Sequence, residues 1–97
     1  MTLDEFRATL SDSSPPDVPP ALVALWHDAR GDWQKAHEVA QDAGDASGSW
    51  VHAYLHRKEG DLSNAGYWYR QARRSAASGP SDDEWTAIVT TLLSTRS

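Results

Sequence analysis

The chain has 97 residues, a length typical of one domain, and its 14 acidic and nine basic residues give a net charge of −5. It contains no cysteine, which excludes disulfides, thiolate metal sites and a cysteine nucleophile. The acidic balance argues against nucleic-acid binding, and no apolar run approaches the roughly 18 residues of a membrane span. We therefore expect a soluble cytoplasmic protein that contacts neither nucleic acid nor membrane.

Caps and helix breakers predict an N-terminal helix followed by a first helical hairpin. The N-terminal helix covers residues 2–12, because Thr2 and Glu5 have capping-box spacing at its start. The hairpin covers residues 18–43. Its first helix is predicted to be capped by Asp17 and to carry two prolines in its first turn, where proline removes no intrahelical hydrogen bond.

The second half of the chain predicts a loop, a second hairpin and a C-terminal helix. Residues 44–49 are rich in glycine, serine and aspartate, which is typical of a loop, and the second hairpin covers residues 50–77. Ser81 and Glu84 have capping-box spacing at the start of a helix over residues 81–95. No segment alternates as a strand does, so the predicted fold class is all-α.

An internal repeat relates the two hairpins. When the chain is shifted by 29 residues, identical residues coincide at six positions: Ala24 with Ala53, His27 with His56, Gly31 with Gly60, Asp32 with Asp61, Ala36 with Ala65 and Ala43 with Ala72. Each copy is predicted to be a helix, a tight Gly-Asp turn and a second helix, and the alanines allow the two helices to approach closely. Since one hairpin cannot bury its apolar face alone, we expect the two to stack between the terminal helices.

The repeated positions resemble the tetratricopeptide-repeat family. That family has a small residue in the first helix, an aromatic residue three positions later, glycine at the turn and alanine early in the second helix. Ala53, His56, Gly60 and Ala65 follow that order, and the resemblance spans about residues 18–77. The period of 29 residues is shorter than about 34, no proline closes either unit, and histidine replaces the aromatic residue. The resemblance implies two stacked hairpins in a non-catalytic protein that binds a peptide or protein segment or associates with itself.

The resemblance also implies a binding groove along the first helix of the second hairpin. The groove residues of that helix are Trp50, Tyr54, Arg57 and Lys58. Two aromatic rings beside two cations would suit a partner that carries an anionic group. The alternative is that the two rings are core residues under a terminal helix and that the two cations are solvated.

A second candidate contact patch lies on the following helix. Tyr67 falls opposite the alanines of that helix, so its ring is predicted to be exposed beside Trp68. Exposed aromatic residues of this kind favour a protein contact, including contact with a second copy of the chain. Arg70, Arg73 and Arg74 lie nearby, but three cations on an acidic molecule neutralise few phosphates, so we do not predict nucleic-acid binding.

Histidines provide the alternative function. His52, His56 and Glu59 lie on one helical face, and such a set could hold zinc or another divalent ion. His27 occupies the position equivalent to His56 in the first hairpin, which favours a packing role in both. The primary prediction therefore assigns no metal and no cofactor, and a histidine-based metal or small-ligand site is the alternative. Buried, hydrogen-bonded imidazoles would favour packing, whereas open, converging ones would favour a ligand.

No pattern in the chain predicts catalysis. It contains no glycine-rich phosphate loop, no nucleophile elbow and no convergent pair of carboxylates. Adjacent acids such as Asp82 and Asp83 fall in a predicted first turn, where they stabilise the helix dipole. We therefore expect a binding protein and not an enzyme.

Overall fold

The computed structural model of the chain describes residues 1–94, and α-helices dominate this part of the chain. The helices are α1 (Leu3–Ala8), α2 (Pro20–Ala29), α3 (Trp33–Ala43), α4 (Ala46–Lys58), α5 (Leu62–Ala72) and α6 (Ser81–Ser94). A short 3-10 turn, Thr9–Ser11, continues α1. Residues 1–94 contain no strand, which confirms the predicted all-α fold class. Residue 95 of the predicted C-terminal helix lies outside the described residues.

Helix α4 lies at the centre of the packing. It contacts α2, α3, α5 and α6, while α2 also packs against α3 and α6, and α1 packs against α6. All seven residues from 50 to 56 are buried, so α4 is enclosed around its circumference instead of presenting one apolar stripe. The core between α2, α4 and α6 includes Leu22, Leu25, Val51, Leu55, Ile88 and Val89. The tetratricopeptide-like stacking of the two helix pairs stays a prediction.

The two Gly-Asp turns predicted from the repeat are confirmed. Gly31 has a φ of +83° and Gly60 a φ of +93°, a left-handed conformation that glycine adopts without steric cost. Asp32 then caps α3 and Asp61 caps α5, since each carboxylate accepts a hydrogen bond from the backbone N–H three residues later. The same local sequence therefore produces the same helix end and helix start in both halves of the chain.

Helix α4 begins earlier than predicted. Residues 44–49 were expected to form a loop, but α4 begins at Ala46 after the cap Asp45, whose carboxylate accepts from the N–H of Gly48 at 2.8 Å. The loop prediction is wrong because Gly48 serves packing and not a turn. A Cβ at that position would lie 2.7 Å from the Cβ of Ala43, so glycine permits the close approach of α4 to the end of α3.

Two of the predicted helix caps are also wrong, although the capping box of Thr2 and Glu5 is confirmed. The N-cap of α2 is Pro19, which makes no side-chain cap, so Asp17 does not cap this helix. The box predicted at Ser81 and Glu84 does not form, because the Glu84 carboxylate is buried and accepts instead from Arg57 and Tyr69. A capping-box spacing is therefore not sufficient when the acid has partners in the core.

No helix within residues 1–94 combines the length and the apolar character that crossing a bilayer requires.

Candidate functional site

Three histidines meet where α3 packs against α4. His52 and His56 lie four residues apart on α4, and His37 reaches the same place from α3. One ring nitrogen of each histidine lies within 4.8 Å of a ring nitrogen of the other two. We call these three residues the histidine cluster.

The rings of the histidine cluster pack directly against one another. The His52 and His56 rings are stacked with centroids 4.8 Å apart. The His37 ring stands edge-on to both, with centroid distances of 4.6 Å to His52 and 5.2 Å to His56. His52 is 4% exposed and His56 7% exposed, while His37 is half-buried. The imidazoles are therefore largely buried, and they converge on one another. Burial is typical of packing, whereas convergence is typical of a ligand site.

Two tryptophans form the walls of the cluster. The Trp33 ring stacks on His37 at 5.0 Å, and its indole N–H donates to the carbonyl of Leu55 at 3.0 Å. The Trp68 ring stacks on His52 at 4.0 Å. Trp68 is thus half-buried against the cluster, whereas Tyr67, its partner in the predicted contact patch, is 46% exposed and touches it edge-on.

Burial keeps two of the imidazoles neutral at physiological pH. Removal from water, together with repulsion from His37 and His56, lowers the pKa of His52 from 6.5 to about 4. Burial also lowers the pKa of His37. A neutral imidazole carries a lone pair on one ring nitrogen, which is the form that binds a metal ion.

The hydrogen bonds of the cluster leave lone pairs unused. Nδ1 of His56 lies 2.7 Å from Oε1 of Glu59, and Nε2 of His56 lies 3.4 Å from Nδ2 of Asn64. Within residues 1–94, neither the His37 ring nor the His52 ring makes a hydrogen bond, and their neighbours are the other aromatic rings. Both rings can therefore offer a nitrogen to a ligand without breaking an existing bond.

The sequence indicated only part of this site. The sequence predicts a set of His52, His56 and Glu59; the structure brings the two histidines together, and Glu59 contacts Nδ1 of His56. His37 was missed because it has no equivalent in the repeat, where it aligns with Gly66. Its signal in the sequence is the spacing of four residues from Trp33, which places both rings on one side of α3.

The residues of the predicted groove have partners inside the fold. Trp50 is 8% exposed and Tyr54 is 1% exposed, and the Tyr54 hydroxyl donates to the Asp28 carboxylate at 2.6 Å. Lys58 pairs with the same carboxylate at 3.0 Å. Arg57 pairs with Glu84 at 3.1 Å and also donates to the carbonyl of Gly79. The two cations are therefore paired within the chain.

Two depressions that residues 1–94 line divide the predicted groove residues Trp50, Tyr54 and Lys58 between them. Tyr54 and Lys58 line one of about 420 Å³ together with Arg7 and Trp85. Trp50 faces a different depression, where the Arg74 guanidinium lies 3.9 Å from its ring centre. The Tyr54 and Trp50 rings therefore border different depressions, and the groove stays a prediction.

Comparisons of the chain with protein-family models, curated proteins and solved structures found no match. The function proposed below therefore depends on the geometry of this chain alone.

Proposed function

We propose that this chain binds a divalent transition-metal ion, with zinc as the best fit, through His37, His52 and His56. The observation that carries the proposal is the convergence of three imidazoles from two helices, with ligand nitrogens within 4.8 Å of one another. Zinc binds histidine nitrogen at about 2.0–2.1 Å, which places tetrahedral ligand nitrogens about 3.4 Å apart. Small side-chain rotations would therefore bring the three nitrogens to bonding distance.

The donor set favours a borderline metal over a hard one. Imidazole nitrogen suits zinc, copper and nickel, whereas magnesium and calcium prefer oxygen ligands. Three protein ligands leave a fourth position for water or another ligand, as in open zinc sites. Because the pKa values of His37 and His52 are lowered, a metal ion does not have to displace a proton from either ring at neutral pH.

Calorimetric titration of the full chain with zinc chloride, after treatment with a chelator, tests the proposal. We expect the wild-type chain to bind about one equivalent, and His37→Gln, His52→Gln and His56→Gln each to weaken binding at least tenfold, about 1.4 kcal/mol. His27→Gln is the matched control, because His27 is also half-buried and packs edge-on against an indole at 5.0 Å, yet lies outside the cluster.

The controls keep the result interpretable if a buried substitution unfolds the chain. His37 is the least buried member of the cluster, so His37→Gln is expected to fold, and circular dichroism of each variant checks this. Wild-type binding below about one tenth of an equivalent would overturn the proposal, whatever the variants do. So would a folded His37→Gln that binds zinc as tightly as the His27→Gln control.

The second candidate function is the binding of a partner peptide, which the resemblance to the tetratricopeptide-repeat family implies. It is supported by the depression of about 420 Å³, where Lys58 and Arg7 lie beside the aromatic rings of Tyr54 and Trp85. If a peptide with an anionic group binds there, a screen of acidic peptides should identify one that binds the wild-type chain and does not bind the Arg7→Met variant. Lys35→Met is the control, because Lys35 is an exposed cation on α3 that does not line this depression.

A further inference from the structure

We infer that Glu59 is a positioning residue for the metal site: it holds His56 as the tautomer protonated on Nδ1, so that the Nε2 lone pair is presented to the metal. This inference rests on the proposed function: Glu59 does not bind the metal itself but holds one of the residues that do. The juxtaposition that carries it is the 2.7 Å contact between Nδ1 of His56 and Oε1 of Glu59.

The position of Glu59 is set by the end of α4. Glu59 is the C-cap of this helix, and its backbone N–H donates to the carbonyls of Arg57 and Leu55. Gly60 follows in the left-handed conformation and turns the chain into α5. Because the backbone is held on both sides, the carboxylate is delivered to the His56 ring three residues back along the same helix.

The chemistry of the two groups determines which nitrogen carries the proton. An ionised carboxylate only accepts hydrogen bonds, so Nδ1 of His56 must be the donor at 2.7 Å. In the neutral ring the lone pair is then on Nε2. Histidines that bind metals commonly donate their other ring N–H to a carboxylate, which fixes the ring orientation and raises the basicity of the ligating nitrogen.

The lone pair on Nε2 is held only weakly in the metal-free chain. Its contact is with Nδ2 of Asn64 at 3.4 Å, which is long for a hydrogen bond that involves nitrogen donors. Replacing this contact with a metal bond would cost little. Nδ1, by contrast, has a short bond to a charged partner, so it is the less available of the two nitrogens.

A direct ligand role for Glu59 is the competing arrangement. His56, Glu59 and Asp61 also have potential ligand atoms within 4.8 Å of one another. The Asp61 carboxylate, however, already caps α5 by accepting from the N–H of Asn64 at 3.3 Å. Both acids are exposed to solvent, whereas the histidine cluster is mostly buried. The geometry therefore favours Glu59 as a partner of a ligand over Glu59 as a ligand.

Zinc titration of substituted chains separates these roles. We expect Glu59→Ala to weaken zinc binding by about 10- to 100-fold, with one equivalent still bound, and Glu59→Gln to have a smaller effect because its amide oxygen can accept from Nδ1. Glu38→Gln is the matched control: Glu38 also interacts electrostatically with His37 but makes no hydrogen bond to a ring nitrogen of the cluster. We expect Asp61→Asn to bind as the wild type, since asparagine also caps helices.

Nitrogen NMR of the histidine side chains provides a readout that a merely structural role would not change. In the metal-free wild-type chain we expect the His56 resonances to report a proton on Nδ1, and in Glu59→Ala we expect the population with a proton on Nε2 to increase. Equal zinc affinity of Glu59→Ala and Glu38→Gln would overturn the inference. So would complete loss of binding in both Glu59→Gln and Asp61→Asn, which would make the two acids ligands. If the wild-type chain binds no zinc, the proposed function fails and this inference fails with it.

Discussion

Asp28 and Glu84 are buried carboxylates, and each is satisfied by one tyrosine and one cation. Asp28 accepts from Tyr54 and pairs with Lys58, and burial together with the bond to Asp28 raises the pKa of the Tyr54 hydroxyl. Glu84 accepts from Tyr69 and Arg57 in the same way. Arg57 and Lys58, the cations that the family resemblance assigned to a partner, therefore stabilise carboxylates that are buried in the fold.

Removal of Arg57 should destabilise the chain more than removal of the whole ion pair. Arg57→Met leaves the Glu84 carboxylate buried with one hydroxyl donor, and losing one member of a buried pair costs about 3–5 kcal/mol. Replacing both members by apolar residues is often close to neutral. We therefore expect Arg57→Met/Glu84→Met to be more stable than Arg57→Met alone in urea unfolding.

The comparison predicts the direction of a change in stability as well as its size: adding Glu84→Met to Arg57→Met should raise the free energy of unfolding. If the second substitution lowers the free energy of unfolding further, the two side chains do not act as a compensating pair. Lys35→Met, at an exposed lysine with no salt bridge among residues 1–94, is the control and should change stability by less than about 0.5 kcal/mol.

The histidine cluster should make stability depend on pH in the weakly acidic range. The pKa of His52 is about 4 in the folded chain and 6.5 when it is exposed, so between these values the unfolded chain binds a proton that the folded chain does not. The free energy of unfolding should be fully retained above about pH 6.5 and decrease as the pH falls towards 4. His37, whose pKa is also lowered, acts in the same direction.

Urea midpoints measured from pH 7.5 to 4.5 in the presence of a chelator check this dependence. His52→Gln should flatten the profile, because glutamine does not titrate, while the lowered pKa of His37 leaves a smaller dependence on pH. The explanation is wrong if the profiles of His52→Gln and the wild-type chain have the same slope.

Among the helices, two glycines predict opposite effects of the same substitution. Gly66 lies within α5, and an added Cβ would meet only the end of the Arg70 side chain at 3.5 Å. Gly66→Ala should therefore stabilise the chain by about 0.5–1 kcal/mol, the helix propensity difference. Gly48→Ala should destabilise it by roughly 1–3 kcal/mol, because its Cβ would lie 2.7 Å from that of Ala43.

Thermal unfolding of the two alanine variants beside the wild-type chain gives the test. Melting temperatures that rise for both variants would mean that α3 and α4 can separate at low cost. Equal decreases for both would mean that Gly66 has a role beyond its helix.

Sequence patterns predicted the elements of this fold where local chemistry decides them. The turns at Gly31 and Gly60 depend on a left-handed residue followed by a capping acid, and both are visible in the sequence. The start of α4 was not predictable, because residues 44–49 have the composition of a loop and the role of Gly48 depends on its contact with α3. The capping box of Ser81 and Glu84 was predicted wrongly for the same reason. The partners of Glu84 lie on α4 and α5, far from it in sequence.

The candidate site shows the same division. The spacing of His52 and His56 is a property of one helix and was predictable, whereas the contribution of His37 depends on how α3 packs against α4. The sequence offered the burial of Trp50 and Tyr54 only as an alternative, because this burial depends on the central position of α4 among four other helices.

For the molecule as a whole, a bound metal would link the two halves of the chain. His37 belongs to α3 and the other two ligands to α4, so the ion would join consecutive helix pairs across their contact. A ligand that binds only the folded state at 100 times its dissociation constant adds about 2.7 kcal/mol to the free energy of unfolding. We expect zinc to raise the melting temperature of the wild-type chain and to raise that of His37→Gln by less, because the variant binds zinc at least tenfold more weakly.

The positions of the tryptophans allow metal binding to be followed by the intrinsic fluorescence of the chain. Trp33 and Trp68 stack on rings of the histidine cluster, while Trp26 and Trp85 donate their indole N–H groups to backbone carbonyls elsewhere. A paramagnetic ion such as copper(II) in the cluster would quench the emission of the first two indoles most strongly. Intrinsic fluorescence should therefore fall only in part on loading, and the emission that remains would include that of Trp26 on α2 and of Trp85 on α6.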